Sequence, residues 1–161
     1  MNKVISFSLW GDSPKYCVGA VRNAELSHSI YPGWRCRFYI ANTVPEEYVI
    51  QLKSFEHVDV IERLQNVGDW TSMFWRHETC WDNSVDISIF RDTDCRLNQR
   101  EKAAVEDWIS SDKTFHIMRD HPWHGYHMLG GMWGYKKNDR YDMLNLFSKF
   151  NPSNDYGTDY I

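Results

Sequence analysis

Two periods of hydrophobic and polar positions alternate along this chain, and each switch marks an element. Residues 4–9 form a short apolar run with β-branched and aromatic members, which predicts a first strand. Trp10-Gly11-Asp12-Ser13-Pro14 is turn material. Cys17, Ala20, Val21 and Ala24 then recur at i, i+3, i+4 and i+7, one apolar face of a helix that Pro32-Gly33 ends. Residues 36–41 read as a second strand. Thr43 and Glu46 have capping-box spacing, with Pro45 near the first turn of a short helix that turns Tyr48, Val49, Leu52 and Phe55 inward. Residues 58–61 predict a third strand. Over 68–83, Met73, Phe74, His77 and Trp81 would share one helix face.

The clearest strand is 85–90, where Val85, Ile87 and Ile89 alternate with Asp86 and Ser88. Asn98, with Glu101 three residues on, resembles another cap, and Ala104, Val105, Trp108 and Ile109 make the following helix face. Residues 115–118 and 132–135 read as strands on either side of a loop rich in His and Gly, 120–131. Residues 140–150 read as a helix led by Met143, Leu144 and Phe147, and 151–161 are polar and turn-rich. Strands and helices in alternation predict an α/β fold with a mainly parallel sheet flanked by helices, and the absence of a repeat or linker predicts a single domain over 1–161.

Composition narrows the class. The chain has 161 residues, 42% hydrophobic, enough to build a core. A formal net charge of -4 argues against a dedicated nucleic-acid binder, which usually carries a basic footprint. The four cysteines form no C-x-x-C pair and are expected to be reduced thiols. No stretch approaches about 18 apolar residues, so no membrane span is expected. The N-terminal apolar run is too short for a signal peptide. A cytoplasmic location follows as an expectation. An aromatic content of 16% is compatible with stacking on sugars or bases and with a homo-oligomer.

Chemistry concentrates in three places. Asp92 and Asp94 follow the clearest strand one residue apart, where ligands bind in open α/β sheets. In extended chain they would project together and suit Mg²⁺ or Mn²⁺ with a diphosphate; acid–base work or a simple solvated turn are the alternatives. The segment 120–127, DHPWHGYH, holds Asp120, His121, His124 and His127, but Pro122 and Gly125 break the helical register a zinc pair would need. A loop lining a substrate is the better reading. Gly130, Gly131 and Gly134 surround a strand and imply close approach to the backbone. Arg76, Arg91 and Arg96 lie near the acidic pair in sequence and would suit a phosphate or a neighbouring carboxylate.

Together, VISFSLWGDSPKY, FRDTDCRLN, FHIMRDHPWHG and LGGMWG resemble a group of small bacterial and viral glycosyltransferase-like proteins of the GT-A nucleotide-sugar transferase type. The resemblance covers nearly the whole chain. It implies a Rossmann-like GT-A sheet that binds a nucleotide-diphosphate sugar, UDP- or GDP-linked, and transfers the sugar to an unknown acceptor in the cytoplasm (the host's, if viral). It implies that Asp92 and Asp94 match the D-x-D pair that holds Mn²⁺ or Mg²⁺ against the diphosphate. Phe7, Ser8 and Leu9 match the segment lying against the nucleotide, and Arg76 and Arg91 are the basic donor contacts. Gly130 and Gly131 match the strand that lines the donor sugar. Asp120 joins His121, Trp123 and His124 in a sugar or acceptor loop, and Asp120 and Asp159 are the implied catalytic carboxylates. Related sequences usually carry Asp-Gln where this chain has Asp159-Tyr160, then continue to a metal-binding histidine. A C-terminally short GT-A domain is therefore the expectation. A non-catalytic nucleotide-sugar or glycan-binding module is the second reading, and a metal-dependent phosphodiesterase or nuclease the third.

Overall fold

A computed structural model describes residues 1–119, 121–125 and 127–149. Its elements follow the order β1 (Lys3–Leu9), α1 (Pro14–Ile30), β2 (Arg35–Ala41), α2 (Glu46–Lys53), β3 (Val58–Arg63), a 3-10 helix (Trp70–Cys80), β4 (Ile87–Arg91), α3 (Gln99–Ser110), β5 (Phe115–Ile117), β6 (Met132–Lys136) and α4 (Met143–Ser148). The six strands form one sheet in the order β3-β2-β1-β4-β6-β5. The first four are mutually parallel; β6 runs antiparallel to both β4 and β5. The α/β class and the mainly parallel sheet therefore stand. The departure comes at β6, because no helix separates it from β5 among the described residues, and a parallel partner would need a crossover.

The period of 2 along each strand divides the core in two. Ile5, Phe7 and Leu9 of β1 and Ile87 and Ile89 of β4 face α1, α2 and α3, where they meet Ala20, Val21, Leu52, Val105 and Trp108. Phe90 points the other way, into a second cluster with Cys80, Trp133, Tyr135 and Met143. Every residue of β4 is buried, Ser88 included, while Asp86, the other expected polar position, is exposed just before the strand begins. Two layers on the central strands explain the burial.

Within 68–83, Trp70–Cys80 is helical, but with 3-10 geometry. Three residues per turn put 73, 76 and 79 on one edge and 74, 77 and 80 on another. A 3.6-residue period would not have grouped them so. The first edge is pinned to β1: the Ser6 hydroxyl donates to the Arg76 carbonyl at 2.7 Å, the Ser8 hydroxyl donates to the Met73 carbonyl at 3.1 Å, and the Arg76 N–H donates to the Ser8 hydroxyl at 3.0 Å. The second edge joins the aromatic cluster, with His77 against Phe74, Phe90, Trp133 and Phe147. At the N-terminus, Asp69 accepts from the Thr71 N–H and donates its own N–H to the Ser72 hydroxyl.

Of the two expected caps, Asn98 forms, accepting from the Glu101 N–H at 2.9 Å. The Thr43 cap does not. Its hydroxyl accepts from the Gly11 N–H and donates to the Val67 carbonyl, tying three loops together, and α2 starts after Pro45 without a side-chain cap. Helix α4 is shorter than expected, with Met143 buried and Leu144 exposed. No helix among the described residues is long and apolar enough to cross a membrane.

Candidate functional site

The chain lays β1 at the centre, steps outward through β2 and β3, then returns across β1 to start β4. The order reverses between β1 and β4, and in open α/β sheets ligands bind beyond the strand ends at such a reversal. A cleft of about 680 Å³ lies there. Its walls come from the end of β1 and the turn after it (Ser8 to Ser13), from Tyr16 of α1, from Met73 and Arg76 of the 3-10 helix, and from Asp92, Thr93 and Asp94.

The acidic pair does not continue the strand in extended form. Cys95 donates its N–H to the Asp92 carbonyl at 3.3 Å, so 92–95 is a turn, yet both carboxylates still line the cleft. Asn23 of α1, itself fully buried, holds the turn in place. Its amide donates to the Cys95 and Thr93 carbonyls at 2.8 and 3.3 Å, and its carbonyl oxygen accepts from the Leu97 N–H at 3.1 Å. Gly19 lets the helix come this close: a Cβ there would stand 2.0 Å from the Thr93 carbonyl oxygen. On the far side, a Cβ at Gly131 would stand 2.0 Å from an Asp92 carboxylate oxygen.

Each carboxylate already has a cation. Asp92 pairs with the Arg76 guanidinium, whose same nitrogen also donates to the Arg91 carbonyl. Arg76 is only 3% exposed, and its Nε has no acceptor among the described residues. Asp94 pairs with Lys15 at 2.7 Å, and this hydrogen bond, aided by the charge of Asp94, raises the lysine pKa. Burial, seconded by Asp94, pushes the Cys95 thiol up, which keeps it protonated.

Among the residues singled out from sequence, Ser8, Leu9, Arg76, Asp92 and Asp94 line the cleft, and Gly131 abuts it through Asp92. Phe7 does not: two residues short of the strand end, its ring is fully buried in the core and stacks on Phe38 at 4.6 Å. Ser8 spends its hydroxyl on docking the 3-10 helix. Arg91 turns away from the cleft and is consumed by a buried pair with Glu101 at 2.6 Å and by the Phe90 and Trp133 carbonyls. Gly130 approaches the buried His77 ring, whose nitrogens complete no hydrogen bond among the described residues. His121, Trp123 and His124 cluster locally, with the two imidazoles 5.4 Å apart and Trp123 84% exposed, but none lines the cleft. Asp120 and Asp159 lie outside the described residues, as do 151–161. Trp10, Asp12, Tyr16 and Met73 also line the cleft, and Lys15 reaches it through Asp94; the turn WGDSPKY after the first strand was the signal in sequence for most of them.

Among the described residues no group of three or more His, Cys, Asp or Glu side chains is placed to hold a metal by itself. Two hard carboxylates on an open cleft nevertheless suit the Mg²⁺ or Mn²⁺ mode in which substrate phosphates and water complete the shell. Fold and cleft define an α/β protein with a cleft at a topological switch point. No protein-family model matches the chain, and no curated protein matches it in sequence.

Proposed function

We propose that this protein is a metal-dependent glycosyltransferase of GT-A type, which takes a UDP- or GDP-sugar as donor and transfers the sugar to an acceptor hydroxyl. The observation that carries this reading is the placement of Asp92 and Asp94 together in a cleft at the β1–β4 switch point, with Arg76 in the same wall. Asp92 and Asp94 would hold Mn²⁺ or Mg²⁺, which when bound supplies Lewis-acid stabilisation to the departing diphosphate. Arg76 offers a fixed guanidinium to the phosphate oxygens. Trp10 and Tyr16 offer ring faces to the nucleoside from the turn and helix after β1. In the transfer, the acceptor oxygen bonds to the anomeric carbon, the bond from that carbon to the diphosphate oxygen breaks, and the hydroxyl proton passes to a base.

Calorimetry of the full chain with UDP- and GDP-sugars, with and without Mn²⁺, tests the reading. Mn²⁺-dependent binding of one of them is expected, lost by at least about tenfold in Asp92→Asn and Asp94→Asn, since each removes a charged ligand. Metal-dependent affinity that survives in both variants would refute the role of the pair. A folded wild-type chain that binds no nucleotide sugar would refute the function.

A further inference from the structure

The cleft is lined by three carboxylates, Asp12, Asp92 and Asp94, and one cation, Arg76, and Lys15 reaches it from α1 through its pair with Asp94. Each cation is spent on one member of the acidic pair. Arg76 is buried in the wall, tied to Asp92, with one donor nitrogen that no described acceptor meets. Lys15 sits at the other end of the pair, in the first turn of α1, with a side chain 63% exposed and its ammonium over the Tyr16 ring at 5.0 Å. Its helix starts without a side-chain cap and without an acidic residue in the first turn.

We infer that Lys15 is a phosphate ligand held in reserve by Asp94, as Arg76 is by Asp92, and that a divalent cation and a diphosphate enter this cleft by exchanging partners with the two ion pairs. The inference rests on the function proposed above and adds a residue and a coupling to it. A divalent cation arriving alone must displace an ammonium and a guanidinium from the carboxylates it binds, and its charge repels both. A diphosphate arriving alone meets three carboxylates, two of which still occupy the cations it needs. Arriving together, each relieves the other: the metal takes the carboxylates, and Lys15 and Arg76 turn to the phosphate oxygens. No bond forms or breaks; charge partners are exchanged. By linkage each ligand must then strengthen the other's binding by the same factor.

The test uses the full chain, with inorganic pyrophosphate as a diphosphate bearing neither sugar nor base. Free Mn²⁺ is followed by electron paramagnetic resonance and heats by calorimetry. In the wild type, Mn²⁺ and pyrophosphate should each tighten the other's Kd by a factor in the range of about 5 to 150. In Lys15→Ala, Mn²⁺ alone should bind more tightly, because Asp94 has lost its competitor. Pyrophosphate in saturating Mn²⁺ should bind at least about tenfold more weakly, because a charge-assisted contact is gone. Lys15→Arg should restore the coupling. A structural role for Lys15 would not move the two affinities in opposite directions. Unchanged coupling in Lys15→Ala, weaker Mn²⁺ binding by that variant, or a folded wild type that binds neither ligand would each overturn the inference. The two readings fail separately. Coupled pyrophosphate binding through Lys15 with no nucleotide sugar bound would remove the glycosyltransferase and keep the exchange. Mn²⁺-dependent nucleotide-sugar binding unaffected by Lys15→Ala would do the reverse.

Discussion

Asp92 is set by three neighbours from three distant parts of the chain: Arg76 on one oxygen, the Gly131 backbone beside the other, and the Asn23 clamp beneath its turn. A methyl group at Gly131 would meet the mobile end of the aspartate side chain, so the carboxylate would move and the fold would tolerate it. Gly131→Ala should therefore leave the thermal midpoint nearly unchanged while lowering Mn²⁺-dependent nucleotide-sugar affinity at least about tenfold, the effect of displacing one charged ligand. Calorimetry beside a thermal melt separates the two quantities. Asn23→Ala should behave in the opposite sense. It strips the Leu97 N–H and the Cys95 carbonyl of partners at a fully buried position, at a cost of roughly 2–3 kcal/mol in urea unfolding. Of these residues the acidic pair was legible from its place after a strand. Asn23 was not, because its partners lie 70 to 74 positions away, at 93, 95 and 97.

At the scale of elements, the 3-10 helix decides the site's shape. Its tight period places Met73 and Arg76 on the cleft and sends His77 and Cys80 into the aromatic cluster. Ser6 and Ser8 hold it against β1 through its backbone. Replacing Ser6 with Ala leaves the buried Arg76 carbonyl without that donor and should cost about 1–3 kcal/mol in urea unfolding. The pattern over 68–83 announced a helix but assigned the wrong period, since a few apolar positions fit 3.0 and 3.6 residues per turn alike. The α3 cap was readable because Asn98 and Glu101 are bonded within one turn. The Thr43 cap was misread because its hydroxyl is claimed from 32 and 24 positions away.

At the scale of the whole molecule, two histidines make stability depend on pH. Burial, helped by the charge of Arg76, holds the His77 pKa well below the ordinary 6.5, and burial beside Arg91 lowers His116 to about 4. Both rings are neutral in the folded state and protonate more readily unfolded. Stability is thus fully present above pH 6.5 and falls as pH drops below it; for His116 the loss levels off near pH 4. Between pH 7.5 and pH 5 each ring should remove up to about 2 kcal/mol, seen as a lower urea midpoint. His77→Phe should flatten its share of that slope; an unaltered slope would show that His77 is not the group responsible. The sequence by itself determined the elements and their alternation, and it put two carboxylates at the end of a buried strand, because burial periodicity and turn chemistry are written in neighbouring residues. Only the tertiary structure decided that β6 runs antiparallel, that Phe7 and Arg91 leave the cleft, and that Lys15 and Arg76 hold the acidic pair. Those outcomes depend on which distant segments the sheet order brings together at the β1–β4 reversal, and no local pattern carries that information.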